Sequence, residues 1–506
     1  MMGLLQMPPE LLLRISDHLT TKELGHFRSS CRHVESVLFD TFAKEFFSKR
    51  QFMLEDVSLQ VLVAIAKHPT LSRWLSHVII GAEAFRHDPD YSDDVSKARY
   101  LAGHVERSTL VATGQACDML TEAFSKLPHL QTVGLRDYAG GAQGSGRERD
   151  GPGSTWKSYG WSFGLSEDAE EHLQRYGRPR TTMWTAPDTM LPIIIHALAK
   201  ANAQPESIEV FLRKDSELRA SSFNVFNGPT ATGVASVLKD MKTLMLSISI
   251  GSQSVFGVPP QEMTDDDPVS LPLQHFLTHT PSLECLRLNF HMGSKFAEHV
   301  LQWLGRPCQS SLSTHGRRHL PSIALERLTS LDLGMMTVNG STLVKLVAKF
   351  NFHSLNLWKV AVKHESDTSI KESLWSRLLT GLSDALGDNT SLHSVMIGFP
   401  SQAAYPDVSF GAFGPGHMVQ FVADGDPDNL QPENLLRTVK YQASFGSNVK
   451  DWLQETASKA VVPDFHRQTP VVVSESESGA GDATDYTEDY DDVDGDEVDE
   501  DEADDD

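Results

Sequence analysis

The side chains best spaced for chemistry are His275 and His279, four residues apart in LPLQHFLTHTP (271–281). On a helix they would share one face, a spacing at which two imidazoles can hold a metal ion. No Glu lies between them in the metalloprotease arrangement and no third ligand is evident, so no metal site is expected. The run Gly140 to Gly146 lacks the Lys-Ser/Thr of a phosphate cradle. Gly334-Met335-Met336 and Gly411-Ala412-Phe413-Gly414 carry no serine nucleophile. Asp265 to Asp267 sit in a loop-like stretch, where carboxylates are solvated. The four cysteines, Cys31, Cys117, Cys285 and Cys308, are far apart and form no CxxC, which suggests neither zinc nor a disulfide framework. The expectation is a chain that is not an enzyme, holds no cofactor and works by binding.

The elements that could position a binding surface begin at Met7 to Phe47. Pro8 and Pro9 suit the start of a helix, because proline there loses no needed hydrogen bond. Leu11, Leu12, Ile15 and Leu19 fall on one face at helical spacing. Thr20-Thr21-Lys22-Glu23 offers a capping box for a second helix bearing Leu24, Phe27 and Cys31 on one side. A third helix follows with Val34, Leu38, Phe42 and Phe46 as its apolar positions. Three helices in about forty residues bury too little surface to be stable alone, so the cluster needs a neighbour.

Met7-Pro8-Pro9-Glu10-Leu11-Leu12, then Ile15, Leu19, Leu24, Phe27 and Cys31-Arg32, resemble the F-box. The resemblance covers residues 4 to 48 in detail. It extends loosely through Lys49 to Leu54, a run typical of F-box proteins from filamentous fungi. Met7 replaces the usual Leu and Val34 a frequent aromatic residue, and both keep an apolar contact. The resemblance implies docking of the Skp-type adaptor of a cullin-based ubiquitin ligase. Met7, Pro8, Leu11, Leu12, Ile15, Leu19, Leu24 and Phe27 are the expected adaptor-binding residues.

Further along, Val57 to Lys67 looks helical, and an apolar-x-x-apolar-x-apolar pattern recurs. It appears at Leu75, Leu130, Met241, Leu283, Leu328, Phe352, Leu392 and Leu436. Several copies follow a helix-like segment and a short polar turn: Thr189 to Lys200 before Ile208, Leu271 to Thr278 before Leu283, and Glu372 to Leu386 before Leu392. A helix returning repeatedly to a short strand builds a leucine-rich solenoid. The starts at 241, 283, 328, 352, 392 and 436 are spaced 42, 45, 24, 40 and 44, and only the 24 is usual for such repeats. His291, Met336 and Pro400 stand where asparagine usually follows the strand. The expected class is therefore α/β: an F-box over 1–50, then an irregular leucine-rich-repeat-like solenoid of short parallel strands and helices over 51–462. A single α/β domain without true repeats is the alternative. Ala139 to Ser154 is expected to be a mobile glycine-rich insertion, with further insertions at Val258 to Pro268 and Arg306 to Arg318. From Ser444 to Ala460 a last helix (Val449, Trp452, Leu453, Ala457) is placed to cap the array.

The net charge of −24 is uneven: residues 475–506 hold 18 Asp or Glu and no Lys or Arg, and without them −6 remains. A basic face for nucleic acid is thus not expected, and 463–506 reads as a disordered acidic tail. Ser474-Glu475-Ser476-Glu477 has acid-directed kinase spacing, and Tyr486 and Tyr490 are possible anchors for a basic partner. No apolar run reaches membrane-spanning length and no secretory signal is apparent, so a soluble cytoplasmic or nuclear protein is expected. Two functions fit: the substrate receptor of a Skp–cullin–F-box ligase, and a non-ligase repeat scaffold with a helical N-terminal cap. In either, side-by-side strands would point Arg287, Asp332, Asn356 and Met396 outward in one row near Trp358, the expected face for a protein target.

Overall fold

Pro8 and Pro9 do open a helix. In the structure, a computed structural model, α1 spans Pro9–Asp17 with Pro8 as its N-cap. Residues 6–82, 94–138, 158–159, 186–212, 218–249, 270–291, 294–308, 320–363, 373–387, 390–403, 417–423, 431 and 434–463 are described. The expected insertions at 139–154 and 258–268, most of 306–318 and the tail from 464 lie outside them. One compact unit contains Met1–Phe47 and a second begins at Ser48.

In the first unit α2 (Thr21–Arg28) starts at the predicted capping box. Thr20 Oγ1 accepts the Glu23 N–H at 3.3 Å, and Glu23 Oε2 accepts the Thr20 N–H at 2.9 Å. Helix α3 (Arg32–Phe47) follows. Leu12, Leu24, Val34, Leu38 and Phe46 form the buried centre, with Met7, Leu19, Phe27, Cys31 and Phe42 packed around it. The Arg28 guanidinium lies 3.3 Å from the Phe42 ring centroid, closing one side of the cluster.

The second unit is a sheet whose strands follow chain order. They are β1 (Lys49–Met53), β2 (His77–Gly81), β3 (Thr132–Arg136), β4 (Ser207–Phe211) and β5 (Thr243–Ser249). Then come β6 (Cys285–His291), β7 (Ser330–Asn339), β8 (Ser354–Lys363) and β9 (Ser394–Gly398). Each pairs in parallel with the next. Parallel neighbours need crossovers, and helices supply them: α4 (Asp56–Lys67) after β1, α5 (Asp94–Ala112) and α6 (Gln115–Phe124) after β2. Then α7 (Ala186–Ala201), α8 (Ala231–Lys239), α9 (Leu271–Thr278), α10 (Ser294–Gly305), α11 (Gly340–Lys349) and α12 (Leu374–Ala385) each follow one strand.

Period-two alternation puts the pattern leucines on one face. Val78, Val133, Ile208, Leu244, Leu286, Leu331, Leu355 and Val395 are in register and buried. So is a second ladder from Ile80 through Leu246, Leu288 and Leu357 to Ile397. A backbone clasp repeats at the strand starts. The carbonyls of Ser48, Ser76, Gln131, Glu206, Lys242, Glu284, Thr329 and His353 each accept two successive N–H groups from the start of the next strand. Buried carboxylates add ties: Glu298 of α10 accepts the Asn339 N–H at 2.7 Å and the Thr342 hydroxyl of α11.

Two expectations need correction. The copy at Leu436–Tyr441 is no further parallel repeat: its strand, Thr438–Gln442, runs antiparallel to β9. Among the described residues no helix lies between them, and a chain returning without a crossover pairs antiparallel. Nor are all the strands short. Where a solenoid would turn away after each strand, β7 and β8 bend and continue, pairing again from Met336↔Val360 to Asn339↔Lys363. Met335 and Lys359 make the bends with φ of 54° and 51°, and Phe399, directly after β9, has a φ of 49°. Helix Val449–Lys459 lies where the capping helix was expected, its Trp452 5.5 Å from the Tyr441 ring. No described helix is long and apolar enough to cross a membrane.

Candidate docking surfaces

The apolar stripe of the N-terminal helices is split by packing. Leu12 and Leu24 are inside, and Met7, Leu19 and Phe27 are half-buried at the rim. Leu11 is 48 % exposed, Ile15 38 %, and Pro8 is also exposed. At spacings of three and four residues these three share one side of α1. The outer side of the first helix thus presents aliphatic surface that its own cluster does not cover.

On the sheet, the open face lies opposite the leucine ladders. Arg287 opposes Asp332, Asp332 opposes Asn356, and Asn356 opposes Met396, so the four expected residues do form one row. All four are half-buried. Asn356 Nδ2 donates to Asp332 Oδ1 at 2.7 Å. Burial pushes the Asp332 carboxyl up, against the opposing pull of Asn356 and Arg287. Beside it burial raises the Cys285 thiol to about 11, which keeps it protonated. Trp358 lies one step further along β8, meeting the Phe399 ring edge-on with centroids 5.0 Å apart. The indole covers Gly398, where a Cβ would collide with it, and Asn289 covers Gly334 in the same way.

Toward the N-terminal strands this face carries residues the pattern did not single out. Arg136 Nη2 is 3.8 Å from Glu209 Oε2, and its guanidinium faces the Phe211 ring at 5.4 Å. Arg287 approaches the same ring at 5.6 Å. His77 Nε2 is 3.6 Å from Glu209, but burial first, then the charges of Lys49 and Arg136, push the imidazole down to about 2. His77 is therefore neutral, and the ionic contact of Glu209 is with Arg136. Alternation could have flagged Glu209 and Phe211 as row-mates, since they flank Val210 on its strand.

His275 and His279 come together, 4.8 Å between rings, but against Phe226, whose ring stacks on His279 at 4.1 Å. Among the described residues no group of three or more metal-binding side chains exists, and the four cysteines are free thiols.

The first unit thus presents uncovered aliphatic surface on its three-helix cluster, and the second an open sheet face of mixed polarity. Residues 4–40 match the F-box domain, so the chain carries an F-box domain. An F-box domain indicates an adaptor-binding role in ubiquitin ligases of the Skp–cullin–F-box type. No curated protein matches the chain.

Proposed function

We propose that this protein is the substrate-recognition subunit of a Skp–cullin–F-box ubiquitin ligase. It docks the Skp-type adaptor, and through it the cullin, with the outer side of its N-terminal helices. The observation that carries this reading is the exposure of Leu11 and Ile15 beside a fully buried Leu12. Exposed aliphatic side chains on a cluster too small to spare them gain free energy when a partner covers them. The second unit is a leucine-rich-repeat-like solenoid that binds a protein target on its open face. In-order parallel strands, each closed by the same backbone clasp, support the solenoid reading. Arg287, Asp332, Asn356, Trp358 and Met396 are the target-binding residues. The protein makes no bond itself; it supplies proximity, holding a target near ubiquitin carried by the rest of the ligase.

The test is affinity purification of the full chain and of a triple variant, Arg287→Ala with Asp332→Ala and Trp358→Ala. Adaptor and cullin are expected with both. At least one target should be lost from the triple variant and accumulate in cells. Absence of adaptor and cullin from the wild-type sample would leave the non-ligase scaffold instead. Retention of every target with unchanged turnover would remove the sheet face from the reading.

A further inference from the structure

Three neighbouring strands leave regular geometry at the same level. Gly334 opposes Trp358 and Trp358 opposes Gly398, and the residue after each is left-handed: Met335, Lys359 and Phe399. Glycine takes this conformation without penalty and asparagine at small cost, yet neither is present. A bend alone needs only the backbone. Three larger side chains kept there against their preference point to a use for the side chains. All three are half-buried, so the hydrophobic core is not that use. Two of them instead meet beside Trp358: Phe399 meets the indole edge-on, and Lys359 Nζ lies 5.8 Å from the Phe399 centroid. Trp358 itself lies over Gly398, which leaves it room by having no side chain. The surroundings favour negative charge. Lys440 is exposed directly across from Met396, and the Asp332 carboxylate is occupied by Asn356.

We propose that Trp358, Lys359 and Phe399 form an anchor subsite. It takes an aromatic or long aliphatic side chain from an extended, acidic segment of a target protein. The proposal rests on the reading of the sheet face as the target-binding surface and adds the residues that choose the target. Large, rigid aromatic side chains are frequent anchors of protein recognition, and Trp358 and Phe399 meet here with Lys359 beside them.

The test uses the full chain with its adaptor and fluorescent ten-residue peptides carrying a central Phe between glutamates. Wild type is expected to bind this peptide, and to bind the central-Ala and lysine-flanked versions roughly tenfold more weakly or worse. Phe399→Gly, Trp358→Ala and Gly398→Ala should each cost roughly tenfold in binding. Lys359→Gly should narrow the difference between glutamate and lysine flanks. Lys359→Gly should also hold or raise the unfolding midpoint, because glycine relieves the left-handed backbone. A fall of several degrees would instead give this side chain a structural role and overturn the proposal. So would peptide binding that is absent, indifferent to the flanks or unchanged in Phe399→Gly. Loss of targets in Arg287→Ala but not in Phe399→Gly leaves the face in place and removes the subsite. Retention in both removes the face. Self-association of wild type that disappears in Phe399→Gly would assign the subsite to a second copy and also overturn the proposal.

Discussion

Leu11 and Leu12 are chain neighbours, one 48 % exposed and the other fully buried. Along the strands from Val78 to Ile397, by contrast, both apolar ladders are inside without exception. The difference follows from size and geometry. Three short helices enclose a centre of five buried side chains and cannot turn every apolar residue inward. The sheet adds a whole ladder position with each strand, and helices cover it. The two regions therefore offer surfaces of different chemistry: aliphatic area at α1, and aromatic, charged and amide groups on the open sheet face.

Breaking the sheet side of this contrast should have the largest effect. Leu357→Ala empties a fully enclosed ladder position and is expected to lower stability by about 3 kcal/mol in urea titration. Next is the helical side. Leu11→Ala with Ile15→Ala should weaken adaptor binding by about 2 kcal/mol, roughly thirtyfold, with helix content by circular dichroism unchanged. Leu12→Ala should unfold or loosen the cluster before any interface is tested. If the outer pair melts the helices as readily as Leu12 does, the division into inner and outer sides is wrong.

A smaller effect sharpens the electrostatic part. His77 stays neutral when folded, its pKa pushed down to about 2, whereas the unfolded chain protonates it below the ordinary value of 6.5. The unfolded state then binds the extra proton, so stability should be level above that pH and decline as pH falls through it. His77→Asn should flatten this part of the pH profile, and an unaltered slope would place the titration elsewhere. Smallest is deletion of 474–506, expected to leave the unfolding midpoint unchanged; a drop of several degrees would mean that the acidic stretch contributes packing.

Much of this was readable in residue order. Strand pattern fixes facing, because a one-residue slip would move every leucine of a strand to the other side. Arg287, Asp332, Asn356 and Met396 could therefore be assigned to one row before any pairing was known. The capping box at Thr20 and the helix Leu271–Thr278 were equally legible, since local hydrogen bonding and period determine them. The direction of Thr438–Gln442 was not, because alternation is the same in parallel and antiparallel strands. Nor was the left-handed backbone at Met335, Lys359 and Phe399, where the residues that usually announce it are missing. The division of the α1 stripe is a tertiary result: Leu11 and Leu12 have the same chemistry, and only packing tells them apart.

The clasps have an evolutionary consequence. Their spacing runs from 24 residues, Thr329 to His353, to 75, Gln131 to Glu206, yet both intervals close with the same pair of N–H groups on one carbonyl. Lengthening a connection costs little, about 0.6 kcal/mol per doubling. Such a frame accepts grafts: a foreign loop spliced between two clasps leaves the joint untouched. Connecting segments can then be exchanged while the sheet between them stays as it is.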